Sequence, residues 1–397
     1  MSENDKFQNW RPATRQVRAG LDRTPFGETS EALFLTSGYV YDSAEQAERS
    51  FTGEEDHYVY SRYANPTMTQ FEDRLAAVEG AKYCKSTASG MAAVFAALAA
   101  HLKTGDRIVA AQALFGACYH VIANILPQWG IKAEFVDGAD LDAWAQALST
   151  SAQAVFLETP SNPALSIIDI AAVSELAHKV GALVVVDNAF ATTVLQHPLE
   201  LGADVVTYSA TKHIDGQGRT LGGAILSNDE DYIENTVAPF LRQTGPCISP
   251  FNAWVLTKGL ETIELRVTRQ CENALAIAEF LSTQDSIEEV IYPGLKNHPA
   301  HDLAMTQMSG HGGTIVAFHV KGGKEAAFKI MNQLEIIDIS NNLGDAKSLI
   351  THPATTTHQK MTADEQLAAG IRPGTIRLSV GIEDVRDLIE DLEQALS

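Results

Sequence analysis

Cysteine is scarce in this chain: Cys84, Cys118, Cys247 and Cys271 are the only thiols in 397 residues, with no CxxC pair and no histidine at zinc-ligand spacing. That argues against a disulfide scaffold or a structural zinc site, and no metal is expected. Reduced core thiols of a cytoplasmic protein are the expectation. Positive charge is also short. Lys and Arg number 29 against 50 Asp and Glu, a formal net charge of -21, so the global field repels nucleic acid and anionic membrane alike. An anionic ligand has to be captured by local positive groups against that field. Long apolar runs are missing too. The longest mainly apolar stretch, Met91 to Leu102, falls short of the ~20 residues a membrane-spanning helix needs. The opening MSENDKFQNW is polar and acidic, unlike a secretory leader. No G-x-G-x-x-G turn follows the first apolar run, which removes a nucleotide-binding oxidoreductase from consideration. Internal repeats and low-complexity tracts are absent as well.

What is present is ordinary globular material, 45% apolar and 20% charged, enough for two or three domains. Residues 1–65 scatter aromatics, glycines and charges without clear periodicity and read as an irregular arm. From about Pro66 the pattern changes: helical spacing over Thr69–Glu79, a glycine turn, then a small-residue helix over Gly90–Leu102. Short apolar runs follow at Arg107–Ala111, Ala133–Val136, Ala154–Glu158, Ala182–Asp187, Asp204–Tyr208 and Gly223–Leu226. They alternate with amphipathic stretches at Cys118–Leu126, Leu141–Leu148 and Ile170–Val180. Apolar strands such as LVVVD alternating with helices predict a mainly parallel sheet covered on both faces, here assigned to a large domain over 66–258. The remainder, 259–397, mixes a helix over Arg269–Ser282, strands over Gly313–Val320 and Thr375–Val380, and a terminal helix Val385–Leu396. It reads as a smaller α+β domain. The fold class is therefore α/β.

Ligands of such sheets sit beyond the carboxyl ends of the strands, which singles out Glu158, Asp187 and Ser209. Lys212 follows in SATKH (209–213). A lysine directly after a buried strand is poorly solvated, which lowers its pKa and makes its amine a nucleophile; a lysine snorkelling to the surface is the bland alternative. Asp187 ends ALVVVD, where it either caps a turn or faces the ring nitrogen of a cofactor, a partner that keeps a pyridine ring protonated and electron-withdrawing. TASGMAAV (87–94) opens a helix whose free N–H groups suit a phosphate, with Gly90 allowing close approach and Ser209 and Thr211 supplying hydroxyls. An ordinary serine cap explains that motif equally well. ETPSNP (158–163) forms a rigid loop at the same edge, with Asn162 able to donate to a phenolic oxygen. Tyr60 and Arg62 in YSRYANPT (60–67) could clamp an anion, and Arg377 inside the strand of RPGTIRLSVGIED (372–384) could grip a carboxylate.

Together these segments resemble the Cys/Met-metabolism family of pyridoxal-phosphate enzymes, which comprises cystathionine synthases and lyases, methionine γ-lyase and the homoserine-ester sulfhydrylases. The resemblance runs from about residue 14 to the C-terminus, and DVVTYSATKHIDGQG (204–218) matches the family's lysine signature. It implies the aspartate-aminotransferase-like fold of PLP-dependent transferases and pyridoxal 5'-phosphate as cofactor. Lys212 would be the Schiff-base lysine and Asp187 the pyridinium partner. Gly90, Met91, Ser209 and Thr211 would hold the phosphate. Tyr60 and Arg62 would reach the phosphate of the neighbouring subunit, which implies a homodimer at least and a tetramer by expectation. Asn162 and Arg377 would hold the carboxylate of an amino-acid substrate, with Asn342 also on the substrate side.

Two departures narrow the branch. Where most lyases of the family carry a tyrosine stacked on the cofactor ring, ALFGACY (113–119) places Phe115, keeping the stacking surface and losing the phenolic acid-base group; Tyr119 is a candidate substitute. NNLGDAKSLITHPATTTH (341–358) carries Asn342 and Lys347 where lyases and cystathionine synthases read Ser-Leu-Gly-x-x-Glu-Ser-Leu. Both departures resemble the sulfhydrylase branch, and the chain length suits the form that uses O-succinylhomoserine in methionine biosynthesis. Cystathionine γ-synthase, O-acetylhomoserine sulfhydrylase, methionine γ-lyase and a non-catalytic PLP-binding protein are the alternatives. Arg49 and Lys347 are the cations considered for a distal succinyl carboxylate.

Overall fold

The computed structural model describes residues 9–397, so the first eight residues, most of the segment read as polar and non-secretory, lie outside the described residues. Alternating apolar runs become seven five-residue strands: β1 (Tyr83–Thr87), β2 (Arg107–Ala111), β3 (Lys132–Val136), β4 (Ala154–Glu158), β5 (Leu183–Asp187), β6 (Val205–Ser209) and β7 (Gly223–Ser227). They form one sheet in the order β1-β7-β6-β5-β4-β2-β3. All neighbours from β6 to β3 run parallel, and β7 alone is reversed against both of its neighbours. Val184, Val185 and Val186 of β5 are fully buried, as are Val155, Phe156 and Leu157 of β4. Such strands need cover on both faces, which is why they read as unbroken apolar runs instead of alternating ones.

A second sheet holds β8 (Ile287–Ile291), β9 (Ile315–Val320), β10 (Asp338–Ile339), β11 (Leu349–Thr351) and β12 (Thr375–Ser379), in the order β10-β11-β12-β9-β8. It is antiparallel except for the β10–β11 pair. Its apolar face packs under the Gly323–Gln333 and Val385–Leu396 helices, with Phe318, Ile376, Leu388 and Leu392 buried together. The Ile263–Leu281 helix serves both cores: Ile263, Val267 and Cys271 pack with the large sheet's apolar cluster, while Ala274, Ile277 and Leu281 pack with the small sheet's. Among the described residues no helix is long and apolar enough to cross a membrane.

Local expectations differ from this structure in several places. The arm is not wholly irregular, since Pro12–Arg18 and Ala44–Thr52 are helical. The second of these is capped by Ser43 at its start, accepting from the Gln46 N–H at 3.2 Å, and by Gly53 in the left-handed region at its end, which makes up for its weak apolar face. The stretch expected as one helix over Cys118–Leu126 is helical from Gly116 to Trp129, but in three windings: α over Gly116–His120, wider over Val121–Ile125, and tighter over Leu126–Trp129. Pro127 lacks the N–H needed to continue a regular α-helix there. The long helix begins at Ile263, six positions ahead of the expected Arg269. Finally, β1 and β8 were not expected at all. Both are edge strands, and Lys85 and the exposed Glu288 and Glu289 break the apolar pattern that marks a central one.

Candidate active site

The carboxyl ends of β4, β5 and β6 lie side by side, because Glu158 pairs in register with Asp187, and Asp187 with Thr207. Lys212 leaves β6 on a tight turn: its N–H donates to the Ser209 carbonyl at 3.1 Å, and the Gly216 N–H donates back to the Lys212 carbonyl at 2.8 Å. The turn is pinned from below. Arg266 Nη1 donates to the His213 carbonyl at 2.8 Å, and the buried His213 places Nε2 2.7 Å from Thr314 Oγ1. Burial holds that imidazole neutral, pushing its pKa down to about 3. The turn that carries the lysine is thus tied to two neighbouring segments.

Lys212 Nζ donates to Asn342 Oδ1 at 2.8 Å. Burial, followed by the nearby Arg377 cation, lowers the lysine pKa to about 8, so a substantial fraction of the amine is unprotonated in mildly basic water. Arg377 sits in β12 and is 1% exposed. Its Nη1 donates to Asn162 Oδ1 at 3.1 Å, and its Nη2 to the carbonyls of Asn341 at 2.9 Å and Asn342 at 3.3 Å. Its Nε is buried without a partner. A guanidinium with one donor held open is incomplete as a structural ion pair and suited to an incoming carboxylate. Burial brings its pKa to about 10, still far enough above neutrality for it to remain a cation.

Asp187 accepts from the Ala189 N–H at 3.0 Å, and burial raises its carboxyl to about 6 against that bond. Cys118 Sγ lies 4.0 Å from Asp187 Oδ2 and 3.8 Å from Met91 Sδ. Beside it, the buried Glu158 is pushed well above the usual range by burial and then by Asp187, while accepting from the Phe115 N–H at 2.7 Å. Gly90 begins a ten-residue helix, Gly90–Ala99, capped by Ser89. A Cβ on Gly90 would fall 2.8 Å from the Ser209 Cα and Oγ, so this helix N-terminus meets the end of β6 with only a glycine's clearance. Thr211 Oγ1 accepts from the Gly222 N–H at 3.1 Å. Free helix N–H groups and Ser209 therefore meet at one corner, which fits a phosphate. Lys212 and Asp187 lie at neighbouring strand tips, which fits an aldehyde-bearing pyridine ring.

The structure draws Lys212, Asn342, Arg377 and Asn162 into one hydrogen-bonded set. Gly90 packs on Ser209, and Met91 and Asp187 both approach Cys118. Phe115 is tied to the same edge through Glu158. Tyr60 and Arg62 are elsewhere. Arg62 stacks on Tyr60 and Tyr63, at 5.4 and 4.9 Å from the ring centroids, and donates to the Arg242 carbonyl. The two cations considered for a distal carboxylate are engaged, Arg49 with Glu55 and Lys347 with Asp345, each at 2.8 Å. Tyr119 packs on Phe135 with ring centroids 4.7 Å apart. Sequence reasoning gave no role to Glu158 as the anchor of Phe115, to Cys118, or to His213 and Arg266 beneath the lysine. Only the strand-end position of Glu158 was visible beforehand.

Comparison with known proteins matches residues 13–397 to the family described as Cys/Met metabolism PLP-dependent enzyme. The chain is 57% identical over 389 residues to the O-succinylhomoserine sulfhydrylase of Mycobacterium tuberculosis, covering 97% of this chain and 95% of that one. It is 46% identical over 384 residues to the protein of that name from Pseudomonas aeruginosa, covering 97% and 94%. A solved Campylobacter jejuni chain that carries N'-pyridoxyl-lysine-5'-monophosphate superposes with a TM-score of 0.93 at 32% identity, covering 98% of this chain and all of that one (100%).

Proposed function

This chain belongs to the Cys/Met-metabolism family of PLP-dependent enzymes, and from that premise we propose that it replaces the γ-substituent of O-succinyl-L-homoserine with sulfide, giving L-homocysteine and succinate. The atoms balance: a C–O bond at Cγ breaks, a C–S bond forms, the succinyl oxygen leaves as carboxylate, and nothing is oxidised or reduced. Pyridoxal phosphate, when bound, supplies the electron sink that makes the proton on the amine-bearing carbon removable. The residues around it divide the remaining work. Arg377, with Asn162, holds the substrate α-carboxylate through its open Nε. Lys212 carries protons from Cα and at Cβ, which its lowered pKa allows near neutral pH. Asn342 aims the Lys212 amine, and Asp187 holds a proton on the ring nitrogen. Gly90, Met91, Ser209 and Thr211 would hold the phosphate, and Phe115 would supply an apolar surface for the cofactor.

The observation that carries this reading is the continuous set Lys212–Asn342–Arg377–Asn162, which keeps a reactive amine beside an incomplete carboxylate grip. The sulfhydrylase relatives at 57% and 46% identity support the choice of ester and acceptor. Residues 1–65 are proposed as an arm lending Tyr60 and Arg62 to a neighbouring subunit's phosphate, 66–258 as the cofactor domain and 259–397 as the small domain, in a cytoplasmic homodimer or tetramer. The test is product identification by mass spectrometry, using the cofactor-loaded protein with O-succinyl or O-acetyl homoserine and either sulfide or cysteine. Homocysteine from the succinyl ester and sulfide is the expected main product. Cystathionine as the dominant product, or rapid breakdown of methionine, overturns the assignment.

A further inference from the structure

Beside the carboxyl ends of the central strands runs a chain of buried polar side chains that the reaction scheme leaves unused. Glu79, the last residue of the Pro66–Glu79 helix, and Asn188, Gln196 and Tyr208 are each 2% exposed or less. Burying such groups is costly unless they bond, and these bond to one another. Asn188 Nδ2 donates to the Thr192 carbonyl at 3.1 Å and to the Gln196 carbonyl at 2.9 Å, and lies 2.6 Å from Tyr208 Oη. Carbonyls only accept, so this nitrogen is the donor end of the amide, and the phenol oxygen accepts from it. The phenol proton then goes to Glu79 Oε2, at 2.5 Å. At the other end of the amide, Asn188 Oδ1 accepts from Gln196 Nε2 at 2.8 Å. Gln196 Nε2 also donates to the Thr159 carbonyl at 2.9 Å, and Gln196 Oε1 accepts from Gln307 Nε2 at 2.9 Å. Of the four side chains, only Glu79 has an oxygen, Oε1, without a partner among the described residues. Burial pushes the Glu79 carboxyl well above the usual range and keeps the Tyr208 phenol protonated.

The chain meets the neighbour of each site position. Thr159 follows Glu158, Asn188 follows Asp187 and Tyr208 precedes Ser209, so side chains tie together the ends of β4, β5 and β6. Thr192 carries a second mark of constraint. It is a buried, β-branched residue at φ 64°, in the left-handed region, a conformation that persists only where the surroundings enforce it. Asn188 enforces it from both sides: its carbonyl accepts from the Thr192 N–H at 2.9 Å, and its amide donates to the Thr192 carbonyl. The turn held in this way is the one whose Ala189 N–H donates to Asp187 Oδ1.

We propose that Asn188, Tyr208 and Glu79 are positioning residues: they fix where the Asp187 carboxylate points relative to the Lys212 turn, and so how firmly it holds a proton on the ring nitrogen of bound pyridoxal phosphate. The proposal rests on the reading of Asp187 as the ring-nitrogen partner, and it is independent of which ester the protein uses. Gln196 extends the same frame to the loop that carries Asn162.

The full chain, freed of cofactor, is titrated by absorbance with pyridoxal phosphate and with the analogue in which a C–H replaces the ring nitrogen. The ratio of the two dissociation constants reports the ring-nitrogen contact alone. Tyr208→Phe keeps the buried ring and removes the phenol oxygen, and loss of that hydrogen bond is expected to lower the preference for the nitrogen-bearing cofactor about fivefold. A merely structural role weakens both cofactors alike, so an unchanged ratio overturns the proposal. Asp187→Asn separates the two readings. If it also leaves the ratio unchanged, Asp187 is not the ring partner and both readings fall; if it lowers the ratio while Tyr208→Phe does not, only the positioning role falls. Glu79→Gln, which keeps an acceptor for the phenol, is expected to retain the ratio of the unaltered protein, whereas Glu79→Leu lowers it. Equal ratios in these two variants overturn the role of Glu79, and the pair carries the test if Tyr208→Phe does not fold.

Discussion

Asp187 and Glu158 lie at adjacent strand ends, where the Asp187 charge makes ionisation of Glu158 harder. Burial alone raises Asp187 from 3.8 to about 6, with the Ala189 N–H pulling the other way. A carboxyl whose folded pKa exceeds its unfolded one stabilises the fold fully below the unfolded value, and that contribution is lost as pH rises through the folded one. At pH 8 the cofactor-free protein therefore keeps an ionised Asp187 at a cost of about 3 kcal/mol, a cost that a protonated pyridine ring would offset. Asp187→Asn is expected to raise the Tm of the cofactor-free protein by about 2–4 °C at pH 8, with the gain vanishing towards pH 4, while turnover of the loaded protein collapses. Differential scanning calorimetry at the two pH values checks this, and no gain at pH 8 would contradict the burial argument. The aspartate was legible in ALVVVD as a strand-end acid. Its coupling to Glu158 was not, because that depends on which strand lies next to β5, and no local pattern encodes it.

At the scale of elements, the Gly90–Ala99 helix matters for where its first turn lies. Gly90 touches the end of β6, and Gly223 of β7 sits against Ser89 in the same corner. Gly90→Ala forces a methyl into the Ser209 backbone, so either the helix backs away or β6 shifts. The expected result is a stability loss of about 1–3 kcal/mol and at least a tenfold weaker hold on pyridoxal phosphate. Denaturant melts and cofactor titration by absorbance measure the two separately. Cofactor affinity left intact would show that the corner does not receive the phosphate. The glycine and its serine neighbours could be read from TASGMAAV, as could the central strands, whose buried faces leave continuous apolar runs. The edge strands β1 and β8 could not, since an edge tolerates Lys85, Glu288 and Glu289 and loses the signature.

For the whole molecule, the arm leaves Phe26 95% exposed, Val40 90% and Leu35 70%, more apolar surface on one segment than a solitary chain gains from. Arg62 and Tyr60 stand on this segment without contact to Lys212 in their own chain. If the arm serves a neighbouring subunit, Lys212→Ala and Arg62→Ala each inactivate a different half of a shared site. Co-expressing the two variants is then expected to restore about a quarter of full activity through hybrid dimers, while refolding either alone restores none. An assay of the mixture decides it, and an inactive mixture would leave each site within a single chain. The sequence by itself determined the alternation of buried strands and helices, and the strand-end positions of Asp187 and Lys212, because periodicity and chain order are local properties. Tertiary structure decided what those residues meet. Arg377, Asn342 and Asn162 come from three segments, and the chain of hydrogen bonds that joins them to Lys212 through Asn342 exists only once the two sheets are docked through the Ile263–Leu281 helix. The chemistry depends on that three-dimensional coincidence, which propensity and pattern along one dimension do not specify.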